Sequence, residues 1–91
     1  MIKSYKSKKL ENVAKGDFSK VGKKDLNDIR AILTALDSAT VLDDCDLPGK
    51  RLHPLKEYTP WRWSLDVSRN WRITFEWDGT HASGVDFEDT H

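Results

Sequence analysis

Two short segments of this 91-residue chain concentrate side chains suited to moving protons. The first is Lys50-Arg51-Leu52-His53-Pro54-Leu55-Lys56, and the second is the ending Phe87-Glu88-Asp89-Thr90-His91. An imidazole donates or accepts a proton near pH 7, so His53 and His91 suit acid–base work. Pro54 biases His53 toward extended backbone, as at a strand or loop edge. Composition alone does not separate such histidines from ordinary surface ones. Their placement has to come from the elements around them.

Residues 2–6 (Ile-Lys-Ser-Tyr-Lys) alternate apolar and polar, which predicts a short half-buried strand. Residues 8–15 suit one or two helical turns ending near Gly16. Over 23–38, Leu26, Ile29, Leu33 and Leu36 recur at helical spacing with Ile32 beside them, so this helix has one apolar face. Its wet face carries Lys24, Asp25, Asn27, Asp28 and Arg30. Residues 40–50, with three Asp, Pro48 and Gly49, read as a loop.

The second half alternates with period two. Trp63, Leu65 and Val67 form one apolar row, and Trp71, Ile73, Phe75 and Trp77 form the next. A loop of Ser68-Arg69-Asn70 pairs Leu65 with Ile73 and keeps both rows on one face; a loop one residue shorter breaks it. By the same parity, a loop of Asp78-Gly79-Thr80 sets Val85 opposite Ile73 and Phe87 opposite Trp71. The expected architecture is α+β: a short N-terminal strand, two helices, then a three-stranded antiparallel meander with the long helix on one face. In this register Arg72 faces both Asp66 and Asp86 on the opposite side of the sheet. Two readings are open and compatible: a cross-strand ion pair, or a guanidinium presented to a phosphate.

The totals narrow the function classes. The chain supplies one modest core, with four Trp, three Phe and two Tyr to fill it. No stretch approaches a membrane span, and the opening residues lack a signal-peptide apolar run, so the expectation is a cytoplasmic protein. Cys45 is alone, which excludes an internal disulfide, and the three His are too scattered for a metal-ligand motif. Net charge is zero, yet residues 1–36 carry nine Lys/Arg against four Asp/Glu, while 37–91 carry six against eleven. The lysines from Lys3 to Lys24 are either an ordinary solvated surface or a basic area for a polyanion. The lack of an overall positive excess argues against tight binding to free RNA.

Five segments together resemble HigB-type toxins of the RelE superfamily. They are Met1-Ile2-Lys3-Ser4-Tyr5, Leu36-Asp37-Ser38-Ala39-Thr40, Leu52-His53-Pro54-Leu55-Lys56, Asn70-Trp71-Arg72-Ile73-Thr74-Phe75 and Asp86-Phe87-Glu88-Asp89-Thr90-His91. Their order and spacing match across essentially the whole chain. The resemblance implies a single RelE-like toxin domain over 1–91, acting as a ribosome-dependent, metal-independent mRNA endoribonuclease with no cofactor. In such enzymes a substrate 2′-hydroxyl attacks the adjacent phosphate, leaving a cyclic phosphate and a free 5′-hydroxyl. That chemistry needs a base, an acid and cations for the phosphorane charge.

Carried over by position, His53, Asp89 and His91 are the acid–base candidates, and Lys56 and Arg72 stabilise charge on the phosphate. Lys50, Arg51 and Arg69 are candidate RNA contacts, with Tyr58 and Trp61 as stacking surfaces. The implied partners are mRNA on the ribosome and a HigA-type helix-turn-helix antitoxin, through which DNA is bound indirectly. No membrane partner is implied.

The chain departs from the family pattern at three positions. Thr90 replaces the usual Tyr, losing an aromatic surface and a phenolic proton carrier. Asp66 stands where a small polar residue is usual, within reach of Arg72. Glu57 follows Lys56 where Gly is usual. These departures point to altered activity. Two alternative readings share the fold: a ParE-like gyrase inhibitor, and a degenerate member that only binds its antitoxin.

Overall fold

A computed structural model describes residues 1–90. Helix α1 spans Lys8–Ala14 and helix α2 spans Lys23–Ser38, followed by a 3₁₀ turn at Leu42–Cys45. Four strands follow: β1 His53–Leu55, β2 Arg62–Asp66, β3 Trp71–Trp77 and β4 Ala82–Asp89. They form one antiparallel sheet in the order β1-β2-β3-β4. Helix α2 lies where the apolar periodicity predicts it and α1 falls within the turns expected over residues 8–15, where Ser7 caps it by accepting from the Leu10 amide at 3.2 Å.

Ile29, Ile32, Leu33 and Leu36 of α2 share one buried core with Leu65, Val67, Ile73, Phe75 and Val85 of the sheet. Leu10 and Val13 of α1 join the same core. Each fully buried side chain of this size contributes about 1.5–3 kcal/mol, so the helices are held on one face and the other is left to polar residues. Cys45 is buried, and burial pushes its thiol up to about 11. Among the described residues no helix is long and apolar enough to cross a membrane.

Three expectations are corrected. The sheet has four strands, because His53–Leu55 pairs with Arg62–Ser64. Pro54 lacks an amide donor, and an edge strand of three residues is where that is tolerated.

The N-terminal segment is not a continuous strand. It runs parallel to β4 as two isolated bridges, Ile2 with Ala82 and Tyr5 with Val85. Between them the Gly84 amide donates to the Ser4 hydroxyl at 2.8 Å, so no regular ladder forms there.

The β3–β4 register also differs. Ile73 faces Phe87, Arg72 faces Glu88 and Thr74 faces Asp86. Asp78 accepts amide bonds from Thr80 and His81 at 2.8 and 2.7 Å, which closes a longer turn with Trp77 opposite Ala82. These backbone donors pull the Asp78 carboxyl down to about 2. The longer turn alone would put Phe87 on the polar face. A bulge opposite Phe75 restores parity by adding one residue to β4. The β2–β3 register agrees with the sequence expectation, Leu65 facing Ile73 and Asp66 facing Arg72.

Candidate active site

Directly paired residues share a face, so the register lists what the face away from the helices displays. One row is His53, Ser64, Thr74 and Asp86; the next is Asp66, Arg72 and Glu88. A third begins with Leu55 and Arg62. Strand spacing sets β1 and β3 about 10 Å apart, with the small side chain of Ser64 between them.

His53 is half-buried, and its Nδ1 lies 2.6 Å from the Arg51 carbonyl oxygen. A carbonyl only accepts, so the bond requires the proton on Nδ1, and in the neutral ring this leaves the lone pair on Nε2. Arg51 itself adopts φ of 53°, a left-handed conformation rare for a residue with a side chain. Its Nε reaches Asp66 Oδ2 at 2.9 Å. Arg51 therefore does two things here: its backbone fixes the His53 tautomer, and its side chain occupies Asp66.

Arg72 turns the other way. Its Nη2 donates to Glu88 Oε1 at 3.3 Å, both side chains being about one-fifth exposed. Glu88 also accepts from the Thr74 hydroxyl on its other oxygen and from the Tyr58 hydroxyl at 3.4 Å. Burial opposes ionisation of Glu88, but the Thr74 and Arg72 hydrogen bonds and the charges of Arg72 and Arg62 outweigh it. The carboxyl is held below its ordinary value.

Beneath these groups lies Arg62, only 4% exposed. Its Nη2 donates to Thr74 Oγ1 at 3.1 Å and to the Gly84 carbonyl at 2.6 Å, and its Nη1 lies 3.6 Å from Glu76. Gly84 has φ of 57°, and a Cβ there would sit 3.3 Å from both Arg62 Nη1 and Glu76 Oε2.

The remaining candidates are spread around this face. Lys56 follows β1, with its Nζ 5.0 Å from the ring centre of Trp61, which is itself 52% exposed. Tyr58 lies in the same loop, its ring 6.0 Å from the Arg62 guanidinium. Arg69 is exposed in the β2–β3 loop. Lys50 reaches toward α2, with its Nζ 2.7 Å from Asp28. Asp89 pairs with Trp71, so the pleat directs it to the face opposite Arg72. His91 lies outside the described residues. Among the described residues no cluster of His, Cys, Asp and Glu is arranged to hold a metal ion.

Sequence reading missed Arg62, and it assigned no role to Thr74 or Glu88. The available signal was a charged residue preceding the alternation of Trp63, Leu65 and Val67, at a position on the polar row. Two buried side-chain atoms among the described residues have no hydrogen-bond partner, Ser64 Oγ and Arg72 Nε, and both belong to this face.

A family model described as "RelE-like toxin of type II toxin-antitoxin system HigB" matches residues 3–91. The chain is also 39% identical over 92 aligned residues to "Endoribonuclease HigB" of Proteus vulgaris, with the whole of both chains covered. Since match and identity both extend across the strands that carry His53 and Arg72, the chain belongs to the HigB-like family of RelE-like toxins.

Proposed function

We propose that this toxin is a ribosome-dependent mRNA endoribonuclease that uses the polar sheet face, on a RelE-like fold, as its active surface. The observation that carries the reading is His53 with its Nδ1 2.6 Å from the Arg51 carbonyl oxygen, on the same face as the guanidinium of Arg72. The free Nε2 lone pair suits His53 to take the proton from a ribose 2′-hydroxyl. Arg72 and Lys56 supply positive charge for the phosphorane oxygens. The guanidinium suits a phosphate because its fork carries donors beyond the one that Glu88 engages.

The resemblance leaves His91 as the candidate proton donor to the leaving 5′-oxygen and Asp89 as a further acid–base candidate, although the β4 pleat directs Asp89 to the face opposite Arg72. Trp61 beside Lys56 and Tyr58 beside Arg62 supply aromatic surface for stacking unpaired bases. The proposed cellular context is the cytoplasm, with a HigA-type antitoxin as the controlling partner.

The test is to map mRNA 5′ ends after brief induction of the wild type and of His53→Ala. New ends confined to the wild type support the proposal. Intact mRNA alongside damaged DNA would favour gyrase inhibition instead.

A further inference from the structure

The route from Arg62 to Arg72 has a fixed hydrogen-bond direction. Arg62 Nη2 donates to Thr74 Oγ1, which uses that oxygen as an acceptor. The one proton of Thr74 is then left to donate to Glu88, and Glu88 in turn accepts from Arg72. Arg62 and Thr74 are 4% and 0% exposed. Neither can be reached by an RNA strand lying on the surface. Arg62 is in turn anchored to the Gly84 carbonyl, at a glycine whose missing side chain leaves room for the guanidinium.

We infer that Thr74 and Arg62 are positioning residues for the cleavage reaction, acting through Glu88 to set the orientation of the Arg72 guanidinium. The inference rests on the reading of Arg72 as a phosphate ligand. An arginine side chain has several rotatable bonds, and a carboxylate fixed from behind removes most of that freedom. Without Thr74, Glu88 would keep only Arg72 and the longer bond from the exposed Tyr58 hydroxyl, and would swing with them. Held also by the buried Thr74 hydroxyl, it is a fixed post. Such a device works on the chemical step, because it improves alignment in the transition state more than it tightens substrate binding.

The experiment measures cleavage of a translated mRNA by the full-length protein in a reconstituted translation mixture, comparing wild type, Thr74→Val, Thr74→Ser and Arg72→Ala. Thr74→Val keeps the shape and removes the hydroxyl. We expect kcat to fall about tenfold or more with KM little changed, since about 1.4 kcal/mol of lost alignment is a factor of ten. Thr74→Ser, which restores the hydroxyl, should recover most of the rate. Full activity in folded Thr74→Val, or a Thr74→Ser variant as slow as Thr74→Val, overturns the inference. Glu88→Gln, at a partly exposed position, carries the same expectation of lowered kcat if Thr74→Val fails to fold. The Arg72→Ala arm separates the two levels: if it cleaves normally, the reading of Arg72 itself fails, whatever Thr74 does.

Discussion

Arg72 stands directly across the β2–β3 ladder from Asp66, yet its Nη2 goes to Glu88 on the opposite flank at 3.3 Å. Asp66 is instead occupied by Arg51 at 2.9 Å. By sequence Asp66 competes for Arg72, and the geometry separates the two. Asp66→Asn should therefore leave cleavage close to wild type. Arg72→Lys, which keeps the charge and loses the planar fork, should reduce it by about 10²-fold or more, comparable to losing one donor from an oxyanion site. Single-turnover cleavage rates of the two folded variants test this contrast. Equal losses in both would contradict it.

His53 should matter for chemistry and little for stability. Its ring is half-buried, and its Nδ1 bond is to a local carbonyl two residues away. His53→Ala is expected to lower the cleavage rate by about 10²–10⁴-fold, the range for a lost general base. Its urea midpoint should move little. A large stability loss would assign the residue to the fold instead.

The bulge in β4 keeps Phe87 on the core face and Glu88 on the polar one. Gly84→Ala puts a side chain at φ of 57°, where an L-residue costs about 1–2 kcal/mol. It also crowds Arg62 and Glu76 at 3.3 Å. Thermal unfolding should show a loss of at least that size. Phe75→Ala, at a fully buried ring, should cost about 3–5 kcal/mol. An unchanged midpoint for Gly84→Ala would contradict the role given to the bulge.

Glu88 links this face to pH. Its folded-state carboxyl is held below the ordinary value, so its contribution to stability is fully present above that value. The contribution is lost as pH falls through the folded value. The stability gap between wild type and Glu88→Gln should narrow as pH is lowered through the acid range. Urea melts at a series of pH values measure it. A gap that stays constant means that Glu88 ionisation is not coupled to folding.

How far the sequence was legible depended on the length scale of the signal. Apolar periodicity was enough for the long helix and for the Leu65–Ile73 pairing, because one slipped residue in the sheet would expose a whole row. It could not reveal the pairing of Arg72 with Glu88. That pairing depends on two compensating irregularities, a longer Asp78 turn and an extra residue near Gly84, each invisible to a parity argument. β1 was hidden because a three-residue strand containing Pro54 has no periodicity to read. Resemblance carried His53 and Arg72, whereas Arg62 and Thr74 are apparent only once their burial and partners are known. Asp89 follows from the resemblance by position, but the pleat sets it behind the row that holds Arg72.

In the proposed reaction the polar face opens RNA through attack by the RNA's own 2′-hydroxyl, with Arg72 at the phosphate. The most direct measurement is the end chemistry of an mRNA treated with purified protein in a translating mixture, for the wild type and for folded Arg72→Ala. We predict 2′,3′-cyclic phosphate and 5′-hydroxyl termini from the wild type and almost none from Arg72→Ala. Termini bearing a 5′-phosphate, or undiminished cleavage by Arg72→Ala, would contradict it.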